Sequence, residues 1–199
     1  MQSCRTIEVG MPPSLLNIFY PLLQAGVMVE VEVGCSIQKL LTEQFGIPAD
    51  YISKRITTLF LNSKAVDDAK TALVNDGSVL ALSGAMPGLV GATMRSGGYY
   101  SAMRSAINFS NEIIPEAKRG IIKIKLFNLL LEELGSRILM RGIQLTGHQF
   151  KSFIHEQPKN MRLIDCVIDG VVFHGDCQKL AASINNDQDM IIFKIHFGD

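Results

Sequence analysis

The chain has no tryptophan, and its 199 residues include only four cysteines and four histidines. Cys4, Cys35, Cys166 and Cys177 are scattered and form no C-x-x-C pair, which argues against a disulfide framework and against paired-thiol zinc motifs. So small a supply of His and Cys leaves little inventory for nucleophilic or metal-assisted catalysis, and the reading leans away from an enzyme. Nineteen basic side chains balance nineteen acidic ones. With no net field to gather phosphate backbones or anionic lipid, neither nucleic acid nor a membrane surface is an expected partner. No uninterrupted apolar run approaches the roughly 18 residues of a spanning helix. The opening "MQSCRTIEVG" lacks the basic and apolar regions of a signal peptide and shows no Arg-rich amphipathic pattern. The expectation is a cytoplasmic protein with reduced thiols and no cofactor.

What the chain does have is 47% hydrophobic residues, enough for a packed core, together with 17 Gly and 9 Met. Read for period, "CRTIEV" is a strand, followed by a helical face of Leu15, Leu16, Phe19, Leu22 and Leu23 between Pro12-Pro13 and Gly26. "VMVEVEV" alternates strictly and predicts a half-buried strand with Val27, Val29, Val31 and Val33 inward. Ser36 then caps a second helix that turns Ile37, Leu40, Leu41 and Phe45 to the core and closes at Gly46 and Pro48. "TTLFLN" and "KAVDD" flank Asn62-Ser63 as short strands, and "NDG" turns the chain into "SVLALS".

The second half repeats this order. "GIIKIKL" is a strand, the next helix faces inward with Phe127, Leu130, Leu131, Leu134 and Ile138, and Thr146 with Gln149 forms a capping box for a helix bearing Phe150, Phe153 and Ile154. "RLIDCVIDGVVFHG" is a hairpin on Asp169-Gly170, a short helix runs from about Asp176 to Asn185, and "DMIIFKIHF" is the last strand. "LLNIFYPLL" lies over "LFNLLLEEL", with Asn17 above Asn128, at an offset of about 110 residues. The expected fold class is α+β: a duplicated unit of order β-α-β-α-β-β-β, with residues 1–83 as one unit, 84–118 as connector and 119–199 as the second.

The run from "VMVEVEVGCSIQKLLTEQFGIP" through "TLFLNSKAVDD" to "LVNDGSVLALSGAMPG" resembles the β-grasp sulfur-carrier proteins, the class of the molybdopterin-synthase small subunit and the thiamine sulfur carrier. The resemblance covers roughly Val27 to Gly98 and implies a β-grasp, ubiquitin-like fold. In that family a C-terminal diglycine is adenylated and converted to a thiocarboxylate. Here Gly97-Gly98 is internal, followed by 101 further residues, and the helix between the first two strands is additional.

The connector carries Gly84, Gly88, Gly91, Gly97 and Gly98, and backbone N–H groups ahead of a helix attract anions. Six basic residues between Arg95 and Lys125 face only Glu112 and Glu116. Arg95, Ser96, Gly97, Gly98 and Arg104 are therefore the candidate anion site. They match no nucleotide-binding motif. Cys166, His174 and Cys177 are a partial zinc set with no fourth ligand nearby in sequence, a place that His155 or His196 would have to fill, and a Cys177–His174 catalytic pair lacks an orienting third group. Asp67-Asp68 and Asp187/Asp189 read as turn residues.

Three readings of function follow. One is a non-catalytic binding or assembly module whose connector contacts a protein partner or a second copy. Another is a protein holding an anionic, phosphorylated small molecule at the connector. The last is a sulfur carrier, which requires cleavage after Gly98. For that last reading intact mass of protein from its native source gives a direct answer: a species ending at Gly98 is required, and a full-length mass alone excludes it.

Overall fold

A computed structural model gives the fold and describes residues 4–84, 88–95, 98, 118–157 and 164–198. β1 (Cys4–Met11) buries Ile7 and Val9 by alternation. Pro12 and Pro13 open a 3₁₀ stretch, Pro13–Phe19, that runs into α1 (Tyr20–Ala25), and Gly26 ends it with φ +102°. That left-handed value suits glycine at a helix C-terminus. β2 (Val27–Val33) buries its four valines and exposes Glu30 and Glu32. After β3 (Cys35–Ser36), the Ser36 side chain accepts the Lys39 N–H at 3.2 Å and caps α2 (Ile37–Lys39), which widens into a π-helical turn, Leu40–Gln44. Pro48, expected to close this helix, instead opens a separate one, α3 (Ala49–Arg55). Proline's fixed φ is compatible with helix entry, and Asp50 in the first turn with Lys54 and Arg55 in the last complement the helix dipole.

β4 (Thr58–Leu61) and β5 (Lys64–Ala65) form the expected hairpin, with Asn62 and Ser63 at φ 52° and 66°. Both central residues at positive φ match the twist of the strands they join. β6 (Leu73–Val74) pairs with β3, a contact between short segments that periodicity does not reveal. β7 (Val79–Ser83) and α4 (Gly88–Met94) follow. β8 (Lys118–Phe127) ends on Phe127, so this residue belongs to the strand and not to the inward face of α5 (Leu130–Arg141), where it was expected. Asn128 at φ 57° breaks the register between the two. β9 (Ile143–Thr146) was not foreseen, although "IQLT" alternates between Ile143 and Leu145.

Thr146 and Gln149 make the capping box of α6 (Gly147–Glu156), the Gln149 N–H donating to Thr146 Oγ1 at 3.1 Å and the Thr146 N–H to Gln149 Oε1 at 2.9 Å. β10 (Asp165–Ile168) and β11 (Val171–Val172) turn on Asp169-Gly170, and Asp176 caps α7 (Cys177–Ala182). β12 (Met190–Phe197) buries Ile191, Phe193 and Ile195, with Phe197 half-buried.

The fold is mixed α+β, as expected, and divides into two compact units: Leu22–Leu134, and Met1–Pro21 together with Gly135–Asp199. This division differs from one at the connector. Strand 4–11 belongs with 135–199, and strand 118–127 with 22–134. In the unit of 22–134 the strand order is β2-β8-β7-β4-β5. β8 runs antiparallel to β2 and parallel to β7, while β7 is antiparallel to β4. In the other unit the order is β11-β10-β1-β12-β9, again with a parallel pair, β1 and β12, at the centre. Its core stacks Phe19 on Phe153 at 5.1 Å and sets Phe150 edge-on to Phe193 at 5.1 Å.

β8 reaches its place through one close approach. The Asp76 carboxylate accepts the Ile121 N–H at 2.8 Å, the Gly77 N–H donates to the Ile121 carbonyl at 2.8 Å, and the Lys123 N–H to the Ser78 carbonyl at 2.9 Å. A Cβ on Gly120 would lie 2.9 Å from Asp76 Oδ1 and 3.0 Å from both Val33 methyls. Gly120→Ala is therefore expected to lower stability by about 1–3 kcal/mol, as overpacking does. Asp76→Ala removes an exposed hydrogen bond to the Ile121 N–H and is expected to cost about 0.5–1.5 kcal/mol. In urea unfolding the double variant should lose less than the sum of the two, because both act on the same contact. Full additivity would separate them.

Candidate functional site

In the unit of 22–134 a recess of about 310 Å³ opens between α3 and the loop 67–70. Ile52 and Ile56, one helical turn apart, and Leu59 of β4 form its apolar floor, each no more than 5% exposed. Gln38, Ser53 and Thr57 add polar groups, and Asp67, Asp68, Lys70 and Arg95 bring both signs of charge to its edge.

Local bonds hold each wall. The loop hangs on the start of α2, whose Gln38 N–H donates to the Ala69 carbonyl at 2.8 Å and whose Ile37 N–H donates to the Ala72 carbonyl at 3.0 Å. Asp68 stabilises the turn by accepting the Lys70 N–H at 2.8 Å. Thr57 Oγ1 donates to the Gly84 carbonyl at 2.6 Å. The Gln38 carboxamide and the Lys70 ammonium have no hydrogen-bond or ion-pair partner among the described residues, although Gln38 is only partly exposed. Both can serve a bound molecule.

The other face of α3 is tied to α5. The Glu133 carboxylate accepts a hydrogen bond from the Tyr51 hydroxyl and a forked pair from Arg55, whose Nε lies 3.3 Å from Glu133 Oε2. Arg55 first and Tyr51 second hold the Glu133 carboxyl below the usual carboxylate range. Burial, and then the Glu133 hydrogen bond, push the Tyr51 phenol well above its ordinary value. The brace faces away from the recess and positions the helix that walls it.

Of the anion-site candidates, Arg95 is exposed just past α4 and lines the recess, and the Gly98 N–H donates to the Arg95 carbonyl at 3.1 Å. Ser96, Gly97 and Arg104 lie outside the described residues. Arg95 therefore lines a recess that Asp67 and Asp68 also line, and not a solely basic one. Sequence reasoning gave those aspartates turn chemistry only. Asp68 does that chemistry and lines the recess as well. The signal for the site was α3: "ADYISKR" with Ile52 and Ile56 at helical spacing carries it, and reading Pro48 as a stop obscured it.

Of the partial zinc set, Cys166 and Cys177 lie close enough for one thiol to act on the other. Cys166 and Cys177 are buried, whereas His174 is exposed and precedes the Asp176 cap, outside α7. No group of three or more His, Cys, Asp or Glu suited to a metal ion occurs among the described residues. Burial pushes the Cys166 thiol up to about 11, with Asp165 and Cys177 adding to the effect, and burial raises Cys177 too. Protonated buried thiols behave as small apolar side chains. Asp187 pairs with Lys151 at 2.8 Å, which lowers its carboxyl. No helix among the described residues is long and apolar enough to cross a membrane. The chain matches no protein-family model, no curated protein and no solved structure.

Because the folded value of Glu133 is depressed, its contribution is present above the ordinary carboxylate value near 4.5 and is lost as pH falls through the lower folded one. Wild type should therefore exceed Glu133→Gln in urea stability at pH 7, by a margin that narrows towards pH 3. An unchanged margin across that range would remove the ion pair from the account of α3.

Proposed function

We propose that this chain is a non-catalytic binding module of β-grasp type built from two related units, and that the recess beside α3 receives the ligand of the unit of 22–134. Strand order supports the fold part of this reading. β2-β8-β7-β4-β5 sets a parallel pair at the centre, a hairpin on one side and a helix-linked strand on the other, as β-grasp sheets do. The order β9-β12-β1-β10-β11 has the same plan, and each unit has a hairpin turning on two residues of positive φ, which supports duplication.

One observation carries the binding part: the recess lined by Ile52, Ile56 and Leu59 is also lined by Gln38 and Lys70, whose side chains have no partner among the described residues. Arg95 links this recess to the connector, the segment expected to meet a protein partner or a second copy. The phosphorylated-metabolite reading is less favoured, because Asp67 and Asp68 oppose the two cations at the same edge.

A library of small fragments titrated into the ¹⁵N-labelled full chain tests the site. Shifts should gather at Gln38, Ser53, Thr57 and Lys70, and Ser53→Trp, which fills the recess from α3, should abolish them. Shifts that persist unchanged in Ser53→Trp, or that gather elsewhere, would overturn the assignment.

A further inference from the structure

We infer that the sheet of the unit of 22–134 docks an acidic, extended segment of a protein partner on the face opposite the recess. This goes beyond the binding reading above and concerns a separate surface. Strand register defines that surface. β8 turns Ile122, Ile124 and Leu126 to the recess side, where they are buried, and Ile121, Lys123, Lys125 and Phe127 to the other, where all four are partly exposed. Lys123 lies between Met28 of β2 and Val79 of β7, and Lys125 beside Ala81, which in turn pairs with Phe60 of β4. Ser83, opposite Phe127, is buried and marks that end of the surface.

Charge names the occupant. The ammonium groups of Lys123 and Lys125 have no hydrogen-bond or ion-pair partner among the described residues, and their strand neighbours Met28, Val79 and Ala81 are uncharged. One row away, opposite Ile121, the Glu30 carboxylate engages Arg119 at 3.4 Å. Both lysine stems lie over Gly26, where an added Cβ would stand 2.9 Å from Lys123 Cγ and Cδ and from Lys125 Cγ. Two like charges are thus carried from one spot in a protein of no net charge. Cross-strand neighbours commonly offset such charges with opposite ones, and within this sheet none does.

The setting favours a polypeptide over phosphate or sulfate. Backbone N–H groups inside a sheet are engaged in the strand ladder, so the face lacks the backbone donors that phosphate sites use. Along β8 the outward order is apolar, basic, basic, apolar, from Ile121 to Phe127. In an extended segment, side chains two residues apart share one side at an interval of about 6.6 Å, the same interval that spaces the outward residues of β8. A segment presenting apolar, acidic, acidic and apolar side chains at alternate positions therefore matches β8 in pattern and in charge.

Titration of the ¹⁵N-labelled full chain with acetyl-Val-Ser-Glu-Ser-Glu-Ser-Val-amide tests the surface. Shifts should gather at Met28, Val79, Ala81, Lys123 and Lys125 and leave Gln38 and Ser53 of the recess unmoved. The counterpart with Gln at both Glu positions keeps the shape without the charge and should bind about fivefold more weakly, as the loss of two exposed ion pairs predicts. Added salt should weaken the acidic peptide and spare the neutral one. The double variant Lys123→Glu/Lys125→Glu should lose the acidic peptide and gain the counterpart with Lys at both Glu positions, a reversal that a misfolded variant does not show. Equal binding of the acidic and neutral peptides, or shifts that gather elsewhere, sinks the inference. So does inorganic phosphate or an oligonucleotide that saturates the same amides in preference to the peptide, and so does movement of these amides on dilution alone, which assigns the face to a second copy. Silence of these amides to every probe defeats it too, while the recess stands or falls by its own fragments.

Discussion

The unit of 22–134 depends on one strand placed between two others. β8 arrives from more than thirty residues beyond β7 and lies between β2 and β7, antiparallel to the first and parallel to the second. Without it β2 has no partner within its own unit, and the remaining strands form a small sheet of β7, β4 and β5. The buried faces of Val27, Val29, Ile122, Ile124, Leu80 and Leu82 are continuous only because this pairing holds. Its register is fixed where the Asp76 carboxylate and the Gly77 N–H grip both backbone groups of Ile121, next to a glycine that leaves room for them. A slip by one residue would send Ile122 and Ile124 to the opposite face.

The recess is built on that sheet by elements that are individually short. α3 has seven residues, too few to hold a helix by propensity. Its apolar side rests on the β4 face through Ile52 and Ile56, and its polar side is anchored by Tyr51 and Arg55 to a single carboxylate on α5. Exposed ion pairs contribute little alone, but a forked guanidinium with a second donor on the same carboxylate fixes direction as well as distance. The opposite wall, the loop 67–70, is held by backbone bonds to the start of α2 and by the Asp68 turn.

Much of this was legible in the residue order. Strict alternation in "VMVEVEV", the Ser36 and Thr146 caps, the Asn62-Ser63 and Asp169-Gly170 turns, and Gly26 as a helix stop all stand where local chemistry puts them. Errors arose where one residue admits two roles. Pro48 can end one helix or begin another, and Phe127 continues the period of a strand as readily as that of the next helix. β9 is four residues long and β3 and β6 are two each, lengths at which alternation carries almost no information.

The sequence by itself determined the elements, their caps and their inward faces, because these arise from contacts within a few residues. Only the tertiary structure decided that strand 118–127 completes the sheet of 22–134 while strand 4–11 joins 135–199. An alternating strand such as 118–127 shows which of its faces is buried, but nothing in its own pattern names the strand it lies beside. The same holds for the candidate site. Gln38, Ser53, Asp67, Lys70 and Arg95 lie on four separate segments, and they meet because the sheet brings those segments to one edge of α3.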